Sequence, residues 1–148
     1  KIFFLDDFFI SYRKTKLKKE QFIHSIRIPL PKDNTFKAYK VSKRFDDDIS
    51  SVCAAFNLEI VRNKVRSVRI AYGGMAAIPK RAIYCEKILS NSLVTDEIID
   101  KAKKALEKDF KPISDMRASG LYRMEVAKNL LEKCCAEIKQ KKLIGVYF

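Results

Sequence analysis

The sequence predicts an α+β domain of two layers, in which a four-stranded antiparallel sheet has one face covered by about three helices. Up to about residue 74, apolar residues alternate with polar ones, which is the period of a strand. Beyond that point they recur three or four residues apart, which is the period of a helix. The 148 residues suffice for one domain with a core of its own.

The first part of the chain supplies two neighbouring strands. Residues 1–19 lack a clean period and are predicted to form an extended lead-in. Residues 22–29 alternate, and Pro29 and Pro31 remove backbone donors, so the first strand is predicted to end there. Residues 36–41 follow turn-forming residues and are predicted to be its antiparallel partner.

Two further strands complete the predicted sheet. Residues 52–60 show the clearest alternation in the chain, with their apolar side chains on one face. Residues 68–72 alternate up to Gly73 and Gly74, which predict a bulge or a close approach of two backbones. This glycine pair lacks GxGxxG spacing and does not lead directly into a helix, so a phosphate-binding loop is not predicted.

Helices follow the strands. The first is predicted from near Pro79 to Leu89, and Asn91 and Ser92 end it. The second begins at Thr95, a good N-cap that is followed by two acidic residues.

The third helix is predicted to start near Ser119. The GVYF segment at residues 145–148 could form a flexible tail or an added strand, and the sequence leaves both open. The side chains expected to be buried recur at helical spacing; they are Leu121, Met124, Ala127, Leu131, Cys134, Cys135 and Ile138.

The chain carries a formal net charge of +13. Its basic residues are spread over all segments, so we interpret them mainly as solvated surface, and nucleic-acid binding is the lesser alternative. No run approaches the ~20 apolar residues of a membrane span, and no signal peptide is visible at the start. A soluble, cytoplasmic protein is therefore expected.

The four cysteines and the single histidine do not predict a metal site, because no CxxC spacing occurs. Buried packing is expected for at least one of the adjacent pair Cys134 and Cys135, in a reducing compartment. His24 lies on a predicted strand without a nucleophile beside it, so it is interpreted as a packed or surface residue.

Three consecutive carboxylates at residues 46–48 follow the second predicted strand. Adjacent carboxylates do not converge on a cation unless a loop alternates the ligands, so metal binding is disfavoured. We expect them to pair with Lys43, Arg44 or Arg69, or to cap a turn beside a binding surface, with a purely solvated loop as the alternative.

Several motifs occur in one order along residues 8–138: FFISYRKT at 8–15, FKAYKVSKRFDDD at 36–48, DFKPISDMRAS at 109–119 and LYRMEVAKNLLEK at 121–133. Together they resemble the C-terminal domain of the flavin-binding part of the xanthine dehydrogenase family, the molybdenum hydroxylases. The resemblance implies the same arrangement of a sheet with a small helical group. Phe45 and Ser11 depart from the family pattern.

The resemblance implies that FAD is the cofactor of an intact parent protein. It also implies that the molybdenum cofactor and 2Fe-2S clusters belong to partner domains or subunits, and that electrons pass from those clusters to FAD and then to NAD or another acceptor. The implied parent is an oxidoreductase of purine metabolism, of which this chain would cover one side of the flavin. Its partners would be the remainder of the FAD-binding subunit and the iron-sulfur and molybdenum-binding parts.

The resemblance also implies two cofactor-side residues. Lys40 matches the family lysine that contacts the flavin ring region, and a cation there favours the anionic reduced flavin. Arg44 lies in the loop that follows, along the approach to the flavin. No catalytic residue and no metal ligand is predicted, and Asp115, Met116 and Arg117 match the family's helix-entry motif, which serves structure.

The predicted organisation has three parts: residues 1–20 as a lead-in from a preceding FAD-binding domain, 21–140 as the domain itself, and 141–148 as a tail. The first residue is Lys, so we expect a fragment of a longer protein. Alone, it is expected neither to hold FAD tightly nor to oxidise purine. The alternatives are a basic nucleic-acid-binding domain, with a contiguous basic face, and a non-enzymatic interaction module, with a large exposed apolar patch.

Overall fold

The structure, a computed structural model, describes residues 1–29, 35–45 and 47–140. In chain order the elements are α1 (Leu5–Phe8), β1 (Phe9–Ser11), β2 (Lys14–Thr15), β3 (Thr35–Val41), β4 (Val52–Val61), β5 (Lys64–Gly73), β6 (Lys80–Arg81), α2 (Ile83–Leu89), α3 (Asp96–Asp109) and α4 (Gly120–Gln140). Four antiparallel strands form one sheet in the order β3-β4-β5-β6, while β1 and β2 form a separate hairpin. Helices α2 and α4 contact the sheet, and α3 packs against both of them. The predicted α+β architecture is confirmed.

The alternation of β4 decides which face of the sheet is covered. Val52, Ala54, Phe56 and Leu58 are buried, whereas the residues between them are exposed or half-buried. Successive side chains of a strand point to opposite faces, so one face of β4 lies under the helices and the other stays open. The prediction of a half-buried strand over residues 52–60 is confirmed.

The predicted strand at residues 22–29 is wrong. Within the described part of the chain this stretch pairs with no strand, and the side chains of Phe22, Ile26 and Ile28 are 79%, 74% and 75% exposed. The fourth strand of the sheet is β6, which pairs with Ala71 and Tyr72. Alternation is a local property, so it indicates an extended chain but does not identify a partner.

One other prediction needs correction, at the start of the chain. The lead-in is not uniformly extended, because residues 5–15 form the short helix α1 and the β1–β2 hairpin. Arg13 adopts a positive φ of 57° in the turn of that hairpin. The predicted tail at 141–148, with its GVYF segment, lies outside the described residues.

Helix α2 starts at Ile83, later than predicted. The residues after Pro79 first pair as β6, and the carboxylate of Asp109 then accepts hydrogen bonds from the backbone amides of Tyr84 and Cys85 at 2.9 Å each. These amides belong to the first turn of α2, whose donors have no partner within the helix. A carboxylate from the end of α3 therefore defines where α2 begins.

The N-termini of α3 and α4 follow the predictions. Thr95 accepts a hydrogen bond from the amide of Ile98 through its hydroxyl, and Ser119 accepts one from the amide of Tyr122. Leu121 is the exception among the predicted buried residues of α4, because it is 84% exposed. It lies in the first turn of α4. No helix in the described ranges is both long enough and apolar enough to cross a bilayer.

Asp109→Ala should destabilise the fold by about 1–3 kcal/mol, because one buried and one part-buried amide donor at the start of α2 lose their acceptor. The free energy of unfolding from urea denaturation measures this. Lys101→Ala, which removes only an exposed i,i+4 pair with Glu97, is the control and should leave the midpoint unchanged. Equal midpoints for the two variants would contradict the capping role of Asp109.

Candidate functional site

Lys40 lies on the side of the sheet that the helices leave uncovered. It is the residue before the end of β3 and stands opposite Cys53 of β4. Its neighbours Tyr39 and Val41 point toward the core, so the alternation of the strand directs Lys40 outward. We call this surface the open face; it comprises Phe36, Ala38, Lys40, Cys53, Ala55, Asn57, Arg69, Ala71 and Gly73.

The centre of the open face consists of small side chains in register. Ala38 stands opposite Ala55, and Ala55 stands opposite Ala71 on the next strand. In the neighbouring row, Cys53 lies between Lys40 and Gly73. A floor of methyl groups beside an exposed ammonium group allows a flat group or another backbone to approach the sheet closely.

The cation loop begins immediately after Val41, the last residue of β3; we use this name for residues 42–45 and 47–50. Arg44 donates its backbone amide to Asp48 at 3.1 Å, and its guanidinium lies 3.6 Å from the same carboxylate. These bonds, the amide first, lower the pKa of Asp48. The predicted pairing of the acidic run with Arg44 is therefore confirmed for Asp48, while Asp46 lies outside the described residues. The Arg44 side chain is still 75% exposed.

The cation loop is also attached to the segment that precedes α4. Lys43 donates its ammonium to the carbonyl of Met116 at 2.9 Å. Ser51, which closes the loop with a 2.8 Å bond to the carbonyl of Val41, also donates its hydroxyl to the carbonyl of Arg117 at 3.4 Å. These contacts were not predictable from the sequence, because they join segments that lie far apart in the chain.

The structural role predicted for Asp115 is confirmed, but its side-chain partner, Arg123, was not predicted. Asp115 accepts from the amides of Arg117 and Ala118 and from the guanidinium of Arg123. Arg123 is buried on the apolar face of α4, four residues before Ala127. A charged residue at a position of the apolar stripe was the signal that could have identified it.

The other residues considered from the sequence form no reactive site. His24 lies in the exposed stretch before residue 29. Burial raises the pKa of Cys134 to about 12 and that of Cys135 to about 11, so both remain neutral thiols. Among the described residues, no group of three or more acidic, cysteine or histidine side chains is arranged to hold a metal ion.

Residues 37–138 match the model of a known family, the CO dehydrogenase flavoprotein C-terminal domain. This match spans more than half of the chain. The chain belongs to this family. The family is the C-terminal domain of the FAD-binding component of molybdenum hydroxylases, and the resemblance derived from the sequence is confirmed.

The relatives are much longer proteins. Xanthine dehydrogenase of Emericella nidulans is 39% identical over 110 residues, which are 72% of this chain and 8% of that protein. The glyceraldehyde dehydrogenase medium chain of Sulfolobus acidocaldarius is 28% identical over 132 residues, 89% of this chain and 47% of that protein. The chain therefore spans about half of the medium chain and a small part of the fungal enzyme.

Solved structures show the same fold. Quinoline 2-oxidoreductase from Pseudomonas putida 86 superposes with a TM-score of 0.80 at 21% identity, over 94% of this chain and 48% of that one. Reconstituted CO dehydrogenase from Oligotropha carboxidovorans superposes with a TM-score of 0.79 at 25% identity, over 88% of this chain and 47% of that one.

Cys53 should be the one fast-reacting cysteine among the four, because it is exposed and the other three are buried. Ellman's reagent should titrate about one thiol per native chain, and the remaining thiols only after unfolding. Cys53→Ser should abolish the fast phase. A fast phase that survives this substitution would show that the helical layer is open to the reagent.

Proposed function

We propose that this chain is the C-terminal domain of the FAD-binding part of a xanthine dehydrogenase-like molybdenum hydroxylase, where its open face covers one side of the flavin. The observation that carries the proposal is the outward position of Lys40 beside a floor of small side chains, inside the residues that match the family. In the parent, the flavin passes electrons from iron-sulfur clusters to NAD or another acceptor.

The residues of the open face fit a flavin ring chemically. A planar isoalloxazine requires a flat surface, and the row of Ala38, Ala55 and Ala71 provides one on this face. Lys40, next to that row, offers an ammonium group to a ring that becomes anionic on reduction. We propose that Lys40 stabilises this charge, since an opposite charge nearby favours the charged form.

Arg44 is proposed to act from the cation loop. Its amide donates to Asp48 and its guanidinium pairs with the same carboxylate, while the guanidinium stays exposed. An exposed cation beside the flavin would attract an anionic electron acceptor such as a nicotinamide dinucleotide. Lys40 and Arg44 would thus play different roles, the first on the ring and the second on the approach to it.

The remainder of the flavoprotein is proposed to cover the exposed apolar residues at the start of the chain. Phe22, Ile23, Ile26 and Ile28 lie together in an extended stretch that the core of this domain does not use. In the proposed organisation residues 1–20 are the end of the preceding FAD-binding domain. The preceding FAD-binding domain would hold the pyrophosphate of FAD, because no glycine-rich phosphate loop occurs in this chain.

Lys40→Ala in the parent flavoprotein should make the two-electron flavin potential more negative by about 20–60 mV, the equivalent of about 1–3 kcal/mol of lost charge stabilisation. A spectroelectrochemical titration of the flavin measures the shift. Lys40→Arg should restore most of the potential, and Lys64→Ala, at the far end of β5, is the matched control.

An unchanged potential and unchanged flavin reoxidation in Lys40→Ala would contradict the proposal. Reduction of the molybdenum site by substrate should not change in any of these variants, since that site belongs to another part of the enzyme. A defect confined to substrate reduction would therefore also count against the flavin-side role.

The isolated chain should not bind FAD with micromolar affinity, because one wall of a binding site provides few of the contacts that the cofactor needs. Titration of FAD fluorescence with the chain measures this. In the parent, the bound flavin and the remainder of the flavoprotein should instead protect Cys53 from Ellman's reagent. Micromolar binding by the isolated chain would show that this domain holds the flavin by itself.

A further inference from the structure

Arg123 is the most deeply buried cation of the sheet–helix interface in the described residues, with 3% of its surface exposed. Its guanidinium donates to Asp115 at 2.6 Å and to the carbonyls of Ser51 and Gly74. These three partners belong to three separate segments. A buried cation is costly unless its charge is paired, and here Nη1 and Nη2 bond all three segments, while the buried Nε has no hydrogen-bond partner among the described residues. The arginine therefore constrains all three segments at once.

The carbonyl of Ser51 is held between Arg123 and the backbone of Gly74. Gly74 has a positive φ of 80°, and a Cβ placed there would lie 2.3 Å from the Ser51 carbonyl oxygen. Only glycine allows this approach, which confirms the close backbone contact predicted from the sequence. Ser51 is therefore fixed from two sides at the point where the cation loop joins β4.

Asp115 holds the guanidinium in turn. One of its oxygens accepts from the amides of Arg117 and Ala118 at 2.9 Å and 3.2 Å, and the same oxygen accepts from Arg123. These bonds lower the pKa of Asp115, the amide of Arg117 contributing most. The carboxylate therefore stays charged opposite the buried arginine and orients it toward Ser51.

The other end of the cation loop is attached to the same segment. Lys43 donates to the carbonyl of Met116, within the turn that Asp115 organises. The loop is thus bound at its start through Lys43 and at its end through Ser51, and both attachments depend on the position of residues 115–117. Arg44 lies between these two points.

We infer that Arg123, oriented by Asp115, is a positioning residue that fixes the cation loop and thereby the location of the Arg44 guanidinium. Neither Arg123 nor Asp115 lies on the open face, so they act through the loop. The anchoring of the loop stands by itself; only the effect of the loop on the flavin site rests on the proposed function.

Hydrogen exchange on the 148-residue chain tests whether Arg123 anchors the cation loop, which we call the anchor. Two amides report on the loop: Arg44, bonded to Asp48, and Ser51, bonded to the carbonyl of Val41. In Arg123→Lys these amides should exchange about 10- to 100-fold faster, because a single ammonium cannot serve a carboxylate and two carbonyls in different segments. Amides in the middle of β4, such as that of Phe56, should keep their protection.

Two further variants make the result specific. Asp115→Asn keeps the size of the side chain but removes its charge, and it should loosen the same two amides to a smaller extent. Arg81→Lys is the matched control, because Arg81 forms the other partly buried guanidinium–carboxylate pair, with Glu86, away from the loop. It should leave the Arg44 and Ser51 amides unchanged.

Faster exchange at the Arg44 and Ser51 amides alone, in Arg123→Lys and in Asp115→Asn, supports the anchor. Unchanged loop amides in a folded variant, or equal acceleration of loop and β4 amides, would overturn it. If Arg123→Lys does not fold, Asp115→Asn decides by the same criterion. Flavin reoxidation by an anionic acceptor, measured in the parent carrying Asp115→Asn, separates the two ideas: a loosened loop with an unchanged reoxidation rate upholds the anchor and contradicts the proposed role of Arg44.

Discussion

A row of aromatic rings across the sheet determines which face of this domain is available for function. Tyr39, Phe56 and Tyr72 lie on three neighbouring strands, with ring centroids 5.8 Å and 5.9 Å apart, and Phe110 continues the row at 5.4 Å. The rings meet edge to face, the geometry that aromatic pairs prefer. The hydroxyl of Tyr72 donates to the carbonyl of Ala127 on α4, so the row also joins the two layers.

The same row places Lys40. Tyr39 is drawn toward the core by Phe56 and by the hydrogen bond that its hydroxyl donates to the buried carboxylate of Glu137. Because side chains alternate along a strand, the residue after Tyr39 must face outward. The exposure of Lys40 is therefore a consequence of core packing.

The sequence was sufficient where a pattern reports on its own segment. The alternation in β4 and the cap at Thr95 were predictable, since a strand period and an N-cap depend on residues close together in the chain. The pairing partners of strands were not predictable. Residues 22–29 have the alternation of a strand but pair with no strand in the described part of the chain, and β6 is too short to show an alternation. Arg123 was missed for the same reason, because a buried cation is understood only from the distant carbonyls that it bonds.

The described residues of this domain provide one side of a binding site and do not enclose a site by themselves. The helices occupy one face of the sheet, and the other presents small side chains in register with a cation at one edge and Arg69 at another. Such a surface supplies shape and charge but few directional hydrogen bonds, and a dinucleotide cofactor needs many of these for its phosphates and sugar. In the proposed position beside a flavin, charge placement would thus be the main contribution of this chain. It would depend on two features that are built separately, the outward register of β3 for Lys40 and the inferred anchoring of the loop for Arg44.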